Sequence, residues 1–313
     1  MKKIMRTLSL VFVGGLAVFL FIYIETHNMG VLNPKGAVAL AEKNLLITSV
    51  CLMLIVIIPV FVMLFSFAWR YRAGNTKAKY TPDWHSNIAL EITWWAVPIV
   101  IVTILGIITW KSSHDLDPLK PLTSHVKPVR IQVVALDWKW LFIYPEEHIA
   151  TVNFLKIPKD TPINFSITSD APMNAFWIPQ LGSQIYAMAG MSAKLHLIAS
   201  EEGVYKGVSS NFSGDGFSGM KFDTTVVSGE EYATWVNTVR SASSSLTQEA
   251  YSHLAQQTKD NKVELFSSVW EGLYNAIIMK YMVPSGGIRD MSDQEAPHGP
   301  HMNMGKMDTM GSH

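Results

Sequence analysis

What this chain has little of narrows its roles before any motif is read. It contains a single cysteine, Cys51, set inside an apolar run. No intramolecular disulfide can form, and no metal site built on two thiolates of this chain is available. Charge is also scarce: 16% of the 313 residues are charged, with 25 Lys and Arg against 25 Asp and Glu, a formal net charge of zero. That balance excludes the basic footprint of a nucleic-acid binder and argues against any polyanionic partner. No internal repeat is apparent.

Apolar residues, by contrast, make up 49% of the chain and crowd toward its N-terminus. Residues 45–68 hold no charge in 24 positions, and residues 88–110 hold one, Glu91, in 23. A hydrocarbon core of ~30 Å is crossed by about 20 helical residues, so both runs predict membrane-spanning helices. Pro59 and Pro98 do not exclude them, because membrane helices tolerate proline. A third apolar run, residues 8–24, follows Lys2, Lys3 and Arg6, the layout of a secretory signal. No A-x-A cleavage site follows it, which favours a signal anchor and leaves a cleaved peptide open. With residues 1–7 and 69–87 inside, seven Lys and Arg lie in 26 inner positions against six in the 40 outer positions 25–44 and 111–130. The bias places everything after Trp110 outside the cytoplasm.

From Lys111 onward the sequence breaks into short alternating segments with Pro and Gly between them. In residues 129–136 and 163–169 apolar residues recur at every second position, with Ile163, Phe165 and Ile167 on one face, and Leu195 and Leu197 repeat the pattern. Several such strands predict a β-sandwich or barrel. After Val227 the period changes. Ser228 and Glu231 form a capping box, and Tyr232, Trp235, Val236 and Val239 make a helical stripe that Phe266, Val269, Trp270, Leu273 and Ile277 repeat. The predicted organisation is a signal peptide or anchor at residues 1–29, a two-helix hairpin at 30–110, an exported domain at 111–228, an aromatic-rich helical region at 229–288 and a tail at 289–313. That tail carries His298, His301, His313, Met302, Met304, Met307 and Met310. Imidazole and thioether suit copper, whereas the surrounding composition favours disorder.

Several stretches carry a family resemblance: NPKG (residues 33–36), FAWRYRA (67–73), DWKW (137–140), IPQLGSQIYAMAGM (178–191) and GFSGMKF (216–222). With two spans followed by an exported β domain, the chain resembles subunit II of the haem–copper terminal oxidases, in particular the quinol-oxidising, bo-type branch. The resemblance implies a membrane-anchored α + β protein whose exported part is a cupredoxin-like β-sandwich followed by C-terminal helices. It implies a role in a proton-pumping complex of the bacterial inner membrane that oxidises ubiquinol and reduces oxygen to water. The partners would be a large haem-bearing subunit I, which holds haems and one copper, further small membrane subunits, and membrane lipid. Cytochrome c and nucleic acid would not be partners.

In the cytochrome c-oxidising branch, the exported domain holds a copper pair on one histidine and a C-x-E-x-C-x-x-x-H-x-x-M loop. Here the alignment puts Asn174 at the first histidine, Ser209 and Ser213 at the cysteines, Asn211 at the glutamate and Phe217 at the second histidine. Only Met220 is kept. Serine hydroxyls stay protonated and a lone thioether holds copper weakly. No redox centre is therefore expected in this chain, and the loop is expected to persist as scaffold. Trp138 and Trp140, in the aromatic segment that the family places near electron entry, are expected to pack rather than conduct. Glu91 lies in the first turns of the second span, after a cap at Ser86 or Asn87. It is either a helix-end carboxylate or a proton port. In the matching E-x-x-W-x-x-x-P pattern (Glu91, Trp94, Pro98), the resemblance places a glutamate at the entrance of a proton channel of the large subunit. The alternative from another class is a free-standing membrane copper-binding protein using the His/Met tail.

Overall fold

The computed structural model describes residues 29–78, 85–122 and 124–282, with Gly14, Gly15, Val18, Phe19, Ile22 and Tyr23. The signal segment falls largely, and the His/Met tail wholly, outside the described residues. Two long helices come first: α1 (Ala37–Arg70) and α2 (Ile88–Asp115). At 1.5 Å per residue they are ~51 and ~42 Å long, and both are apolar enough to cross a membrane. Each extends past its uncharged run, α1 starting before Glu42 and Lys43 and α2 continuing through Lys111 and Asp115. Asn87 caps α2, its side chain accepting from the Leu90 amide at 3.1 Å.

The chain then forms thirteen strands among the described residues. One sheet runs in the order β12-β3-β2-β1-β5-β8, with β1 Val129–Leu136, β2 Lys139–Tyr144, β3 Ile149–Val152, β5 Ile163–Ser169, β8 Ala193–Leu197 and β12 Glu264–Phe266. The second runs β4-β10-β9-β6-β7, with β4 Phe154–Pro158, β6 Asn174–Trp177, β7 Ile185–Ala187, β9 Gly203–Ser209 and β10 Lys221–Val227. Alternation decides the faces. Ile163, Phe165 and Ile167 are buried while Asn164 and Ser166 are only partly so. Ile131, Val133, Trp140 and Phe142 of the first sheet meet Phe176, Tyr205, Phe222 and Val226 of the second in one core. Phe176 and Phe222 stack 5.2 Å apart, and Trp140 meets both edge-on at 5.3 and 5.9 Å. This is the cupredoxin-like sandwich that the resemblance implies.

A second core covers the other face of the first sheet. Val134, Leu136, Leu141 and Ile143 pack against Leu246, Tyr251, Leu254, Phe266, Leu273, Tyr274 and Ile277. The covering segment contains α3 (Gly229–Arg240), β11 (Ser245–Leu246), α4 (Gln248–Leu254), β13 (Ser268–Val269) and α5 (Leu273–Tyr281). Here the predicted second stripe needs correcting. Phe266 and Val269 lie in strands, and helix begins only at Leu273. The free edge of β3 offers unpaired amides, and Glu264, Leu265 and Phe266 satisfy them opposite Val152, Thr151 and Ala150. Tertiary pairing thus overrides the helical spacing. The capping box at α3 is also half formed. Ser228 Oγ accepts from the Glu231 amide at 3.2 Å, but the Glu231 carboxylate goes to Lys156 at 2.9 Å.

The hairpin is tied to the sandwich at the start of α1. Gly36 bridges to Ala199, the Lys35 amide donates to the Gln180 carbonyl at 2.7 Å, and Lys35 Nζ meets Glu201 at 2.5 Å. A Cβ at Gly36 would lie 2.7 Å from the Ile198 carbonyl oxygen, so only glycine lets the backbones approach this closely.

Candidate functional site

The strands bring the six loop positions singled out in the sequence to one end of the second sheet. Asn174 opens β6 and Ser209 closes β9, and Phe176 pairs with Ser209 across the ladder. Asn211, Ser213 and Phe217 follow in the β9–β10 connection, and Met220 immediately precedes β10. Asn174 and Met220 are each 1% exposed and Ser209 is 6% exposed, so this is an interior cluster with its own bonding. Ser209 Oγ donates to Asn174 Oδ1 at 3.0 Å, and Asn174 Nδ2 donates to the Pro172 carbonyl at 2.8 Å. Asn211 Nδ2 donates to the Met173 carbonyl at 2.9 Å. The Ser209 amide closes the loop by donating to the Met220 carbonyl at 3.1 Å.

These residues do not fit a copper pair. The positions of the bridging thiolates hold neutral hydroxyls. Asn174 presents an amide already engaged on both sides, and Phe217 has no donor atom and packs on Phe212 at 5.7 Å. Ser213 Oγ is buried without a hydrogen-bond partner among the described residues. Soft donors are what hold copper in such a site, and one thioether remains.

The loop instead makes a seat for Trp138. The Asp137–Trp138 corner joins β1 to β2, and Trp138 adopts a left-handed backbone at φ 56°, a conformation that a bulky side chain holds only when its surroundings fix it. Its Nε1 donates to the Ser213 carbonyl at 3.0 Å. Its ring lies against the loop's glycines: a Cβ on Gly216 would come within 2.3 Å of it, and one on Gly214 within 3.0 Å. Lys259 Nζ sits 5.5 Å from the ring centre on the C-terminal segment. The glycine spacing that resembles a ligand loop is therefore required by an indole.

Glu91 lies far along the chain from this cluster, in the first turn of α2. It caps its own helix, its Oε1 accepting from the Asn87 amide at 3.3 Å. A cleft of about 200 Å³ lined by His85, Ser86, Asn87, Leu90, Glu91 and Trp94 opens beside it.

Two buried charges were not legible in the sequence. The Asp170 side chain, 1% exposed, accepts from Tyr251 Oη at 2.5 Å, Tyr281 Oη at 2.6 Å and Lys280 Nζ at 2.7 Å. Burial alone would raise its pKa, but these bonds and the Lys280 charge outweigh it and hold the carboxyl below the usual aspartate range. Lys139, 2% exposed, donates to the carbonyls of Leu254 and Gln256 at 2.7 and 2.9 Å and to Thr258 Oγ1 at 2.6 Å. It thereby meets the C-terminal end of α4, where a cation is favoured. Both residues pin the aromatic C-terminal segment to the sandwich. The partners of each lie about a hundred positions away, which no local pattern reveals.

The family model described as cytochrome C oxidase subunit II, periplasmic domain, matches residues 145–227, and the COX aromatic rich motif matches residues 240–285. The cytochrome bo(3) ubiquinol oxidase subunit 2 of Pseudomonas aeruginosa is 56% identical over 254 residues, 81% of this chain and 77% of the relative. The ubiquinol oxidase subunit 2 of Acetobacter aceti is 53% identical over 257 residues, 81% of this chain and 83% of that one. Among solved structures, the periplasmic domain of subunit II of cytochrome oxidase from Bradyrhizobium japonicum aligns at a TM-score of 0.35 and 22% identity, over 37% of this chain and 96% of that one.

Proposed function

The chain belongs to the ubiquinol oxidase subunit 2 family, and we propose that it serves a proton-pumping complex as a subunit without a redox centre of its own. The complex oxidises ubiquinol and reduces oxygen to water. Its haems and single copper sit in a large subunit I, and further small membrane subunits complete it. The hairpin crosses the bacterial inner membrane and the sandwich stands in the periplasm, an orientation supported by the Lys and Arg distribution around the spans.

The donor set at Asn174, Ser209, Asn211, Ser213, Phe217 and Met220 carries this reading. A chain that cannot assemble a thiolate-bridged copper pair offers no entry port to a soluble electron carrier. Quinol needs none, because it is dissolved in the membrane and reaches the haem subunit directly. The work left to this chain is to assemble and cover that subunit. We further propose Glu91 as a proton-uptake group, supported by its place at the inner end of α2, its open cleft and the functional bias of carboxylates at membrane depth.

The test is to recover the tagged chain from detergent-solubilised membranes. Co-purification with a haem-rich, many-spanning polypeptide and oxygen uptake driven by ubiquinol is the expected result. A stable, haem-free and homogeneous protein would overturn the proposal.

A further inference from the structure

Between the start of α1 and the end of α2 lies a groove of about 460 Å³ lined by Ala41, Asn44, Leu45 and Thr48 of α1 and by Ile108, Lys111, Ser112, Asp115 and Leu116. Leu45 and Ile108 give its wall an apolar stretch, and the Thr48 hydroxyl beyond Leu45 is turned back onto the Asn44 carbonyl at 2.8 Å. Lys111 and Asp115 stand one helical turn apart on α2, the spacing at which opposite charges on an exposed helix ordinarily meet. Neither does so here: both line the groove, both are exposed, and neither side chain has an ion-pair or hydrogen-bond partner among the described residues. A cation and an anion thus flank one groove whose wall has an apolar stretch.

We propose that this groove binds one zwitterionic, amine-bearing phospholipid. The phosphate pairs with Lys111, the ammonium with Asp115, and an acyl chain lies between the helices. Charge complementarity carries the argument. An anionic lipid would satisfy Lys111 but meet Asp115 unfavourably, whereas a headgroup carrying both signs satisfies the two together. Depth agrees, because both residues lie just beyond the uncharged run of α2, at the level of headgroups. Asn44, one turn before Thr48 on α1, can donate to glycerol and ester oxygens, whereas the Thr48 and Ser112 hydroxyls are already donated to the Asn44 and Ile108 carbonyls. The inference rests on the proposed membrane orientation for its choice of the outer leaflet.

The experiment uses the intact complex, stripped by detergent exchange and then supplied with phosphatidylethanolamine or phosphatidylglycerol of identical acyl chains. Bound lipid is counted by native mass spectrometry, and haem content is recorded on the same samples. The expected result is one tightly held phosphatidylethanolamine per complex, with apparent affinity lowered on the order of tenfold in Lys111→Ala and in Asp115→Ala, the loss of one charge-assisted contact. Lys120→Ala serves as the control and should bind as the parent does. Equal retention of phosphatidylglycerol, or an Asp115→Ala variant that binds normally, would overturn the zwitterion reading. Cross-linking from Cys substituted at Ser112 to another polypeptide would show instead that protein fills the groove. Because haem content is read separately, a failed lipid result is distinguishable from failure of the oxidase reading.

Discussion

Replacing Asp170 with asparagine tests how the C-terminal aromatic segment is held. Three donors converge on this carboxylate at 2.5, 2.6 and 2.7 Å, and its side chain is 1% exposed. A hydrogen bond to a charged group is worth ~1.5–3 kcal/mol, but bonds sharing one acceptor do not add. Breaking a buried ion pair costs ~3–5 kcal/mol. Two features lower the figure here. The Lys280 side chain is 58% exposed and regains water when released, and asparagine keeps one carbonyl acceptor. Asp170→Asn should therefore cost about 2–3 kcal/mol, and Tyr251→Phe about half of that. The loss should be local, since the donors come from α4 and α5 while the sandwich core is untouched. Limited proteolysis of the full chain in its complex should show faster cleavage within residues 246–282, with residues 129–227 still resistant. The pH dependence has a definite sign. The folded carboxyl is held below its unfolded value of ~3.9, so its contribution is complete above that pH and is lost as pH falls through the folded pKa. An Asp170→Asn variant cleaved at the parental rate would refute the clasp.

Other perturbations separate the remaining claims. Gly216→Ala places a Cβ 2.3 Å from the Trp138 ring and should destabilise by ~1–3 kcal/mol; Trp138→Ala in the same background should recover part of that loss in a thermal-melt cycle. Ser213→Ala removes a buried hydroxyl without a partner among the described residues and should leave stability unchanged or raise it by up to ~1 kcal/mol, read as an unchanged or higher melting temperature. Glu91→Gln should slow ubiquinol-driven turnover with assembly and haem content intact, and Glu91→Asp should be milder; a normal rate across mildly acidic to mildly alkaline pH would leave Glu91 a helix cap alone. Changing Asn174→His, Ser209→Cys, Asn211→Glu, Ser213→Cys and Phe217→His together, with Met220 kept, should yield a protein that takes up two coppers and turns purple. Phe217 is only half-buried, so its replacement should cost less than the ~3–5 kcal/mol of a fully buried aromatic. A folded variant that stays colourless would show that the loop's backbone no longer suits metal.

Much of the fold is legible in the sequence because its signals are local. The two long apolar helices are set by length and lack of charge, and strands β1 and β5 by apolar residues at every second position. Legibility ends where the second core begins. β2 reads KWLFIY and is buried along its whole length, with one face on the sandwich and the other beneath the C-terminal segment. Periodicity cannot announce two covered faces. The same segment hides the strand at Phe266, whose partner is Ala150, and the seat of Trp138, whose glycines lie 76 and 78 positions further along the chain. The six loop positions were readable as a set because a family pattern names them. Their mutual hydrogen bonds were not, since Asn174 and Ser209 are 35 residues apart.

The central claim is that the loop at Asn174 and residues 209–220 is a scaffold without copper in a working ubiquinol oxidase. Metal analysis of the purified, active complex tests it most directly. The account predicts one copper per complex, unchanged when Ser209 and Ser213 are both replaced by alanine. Three coppers per complex, falling to one in that double variant, would contradict it.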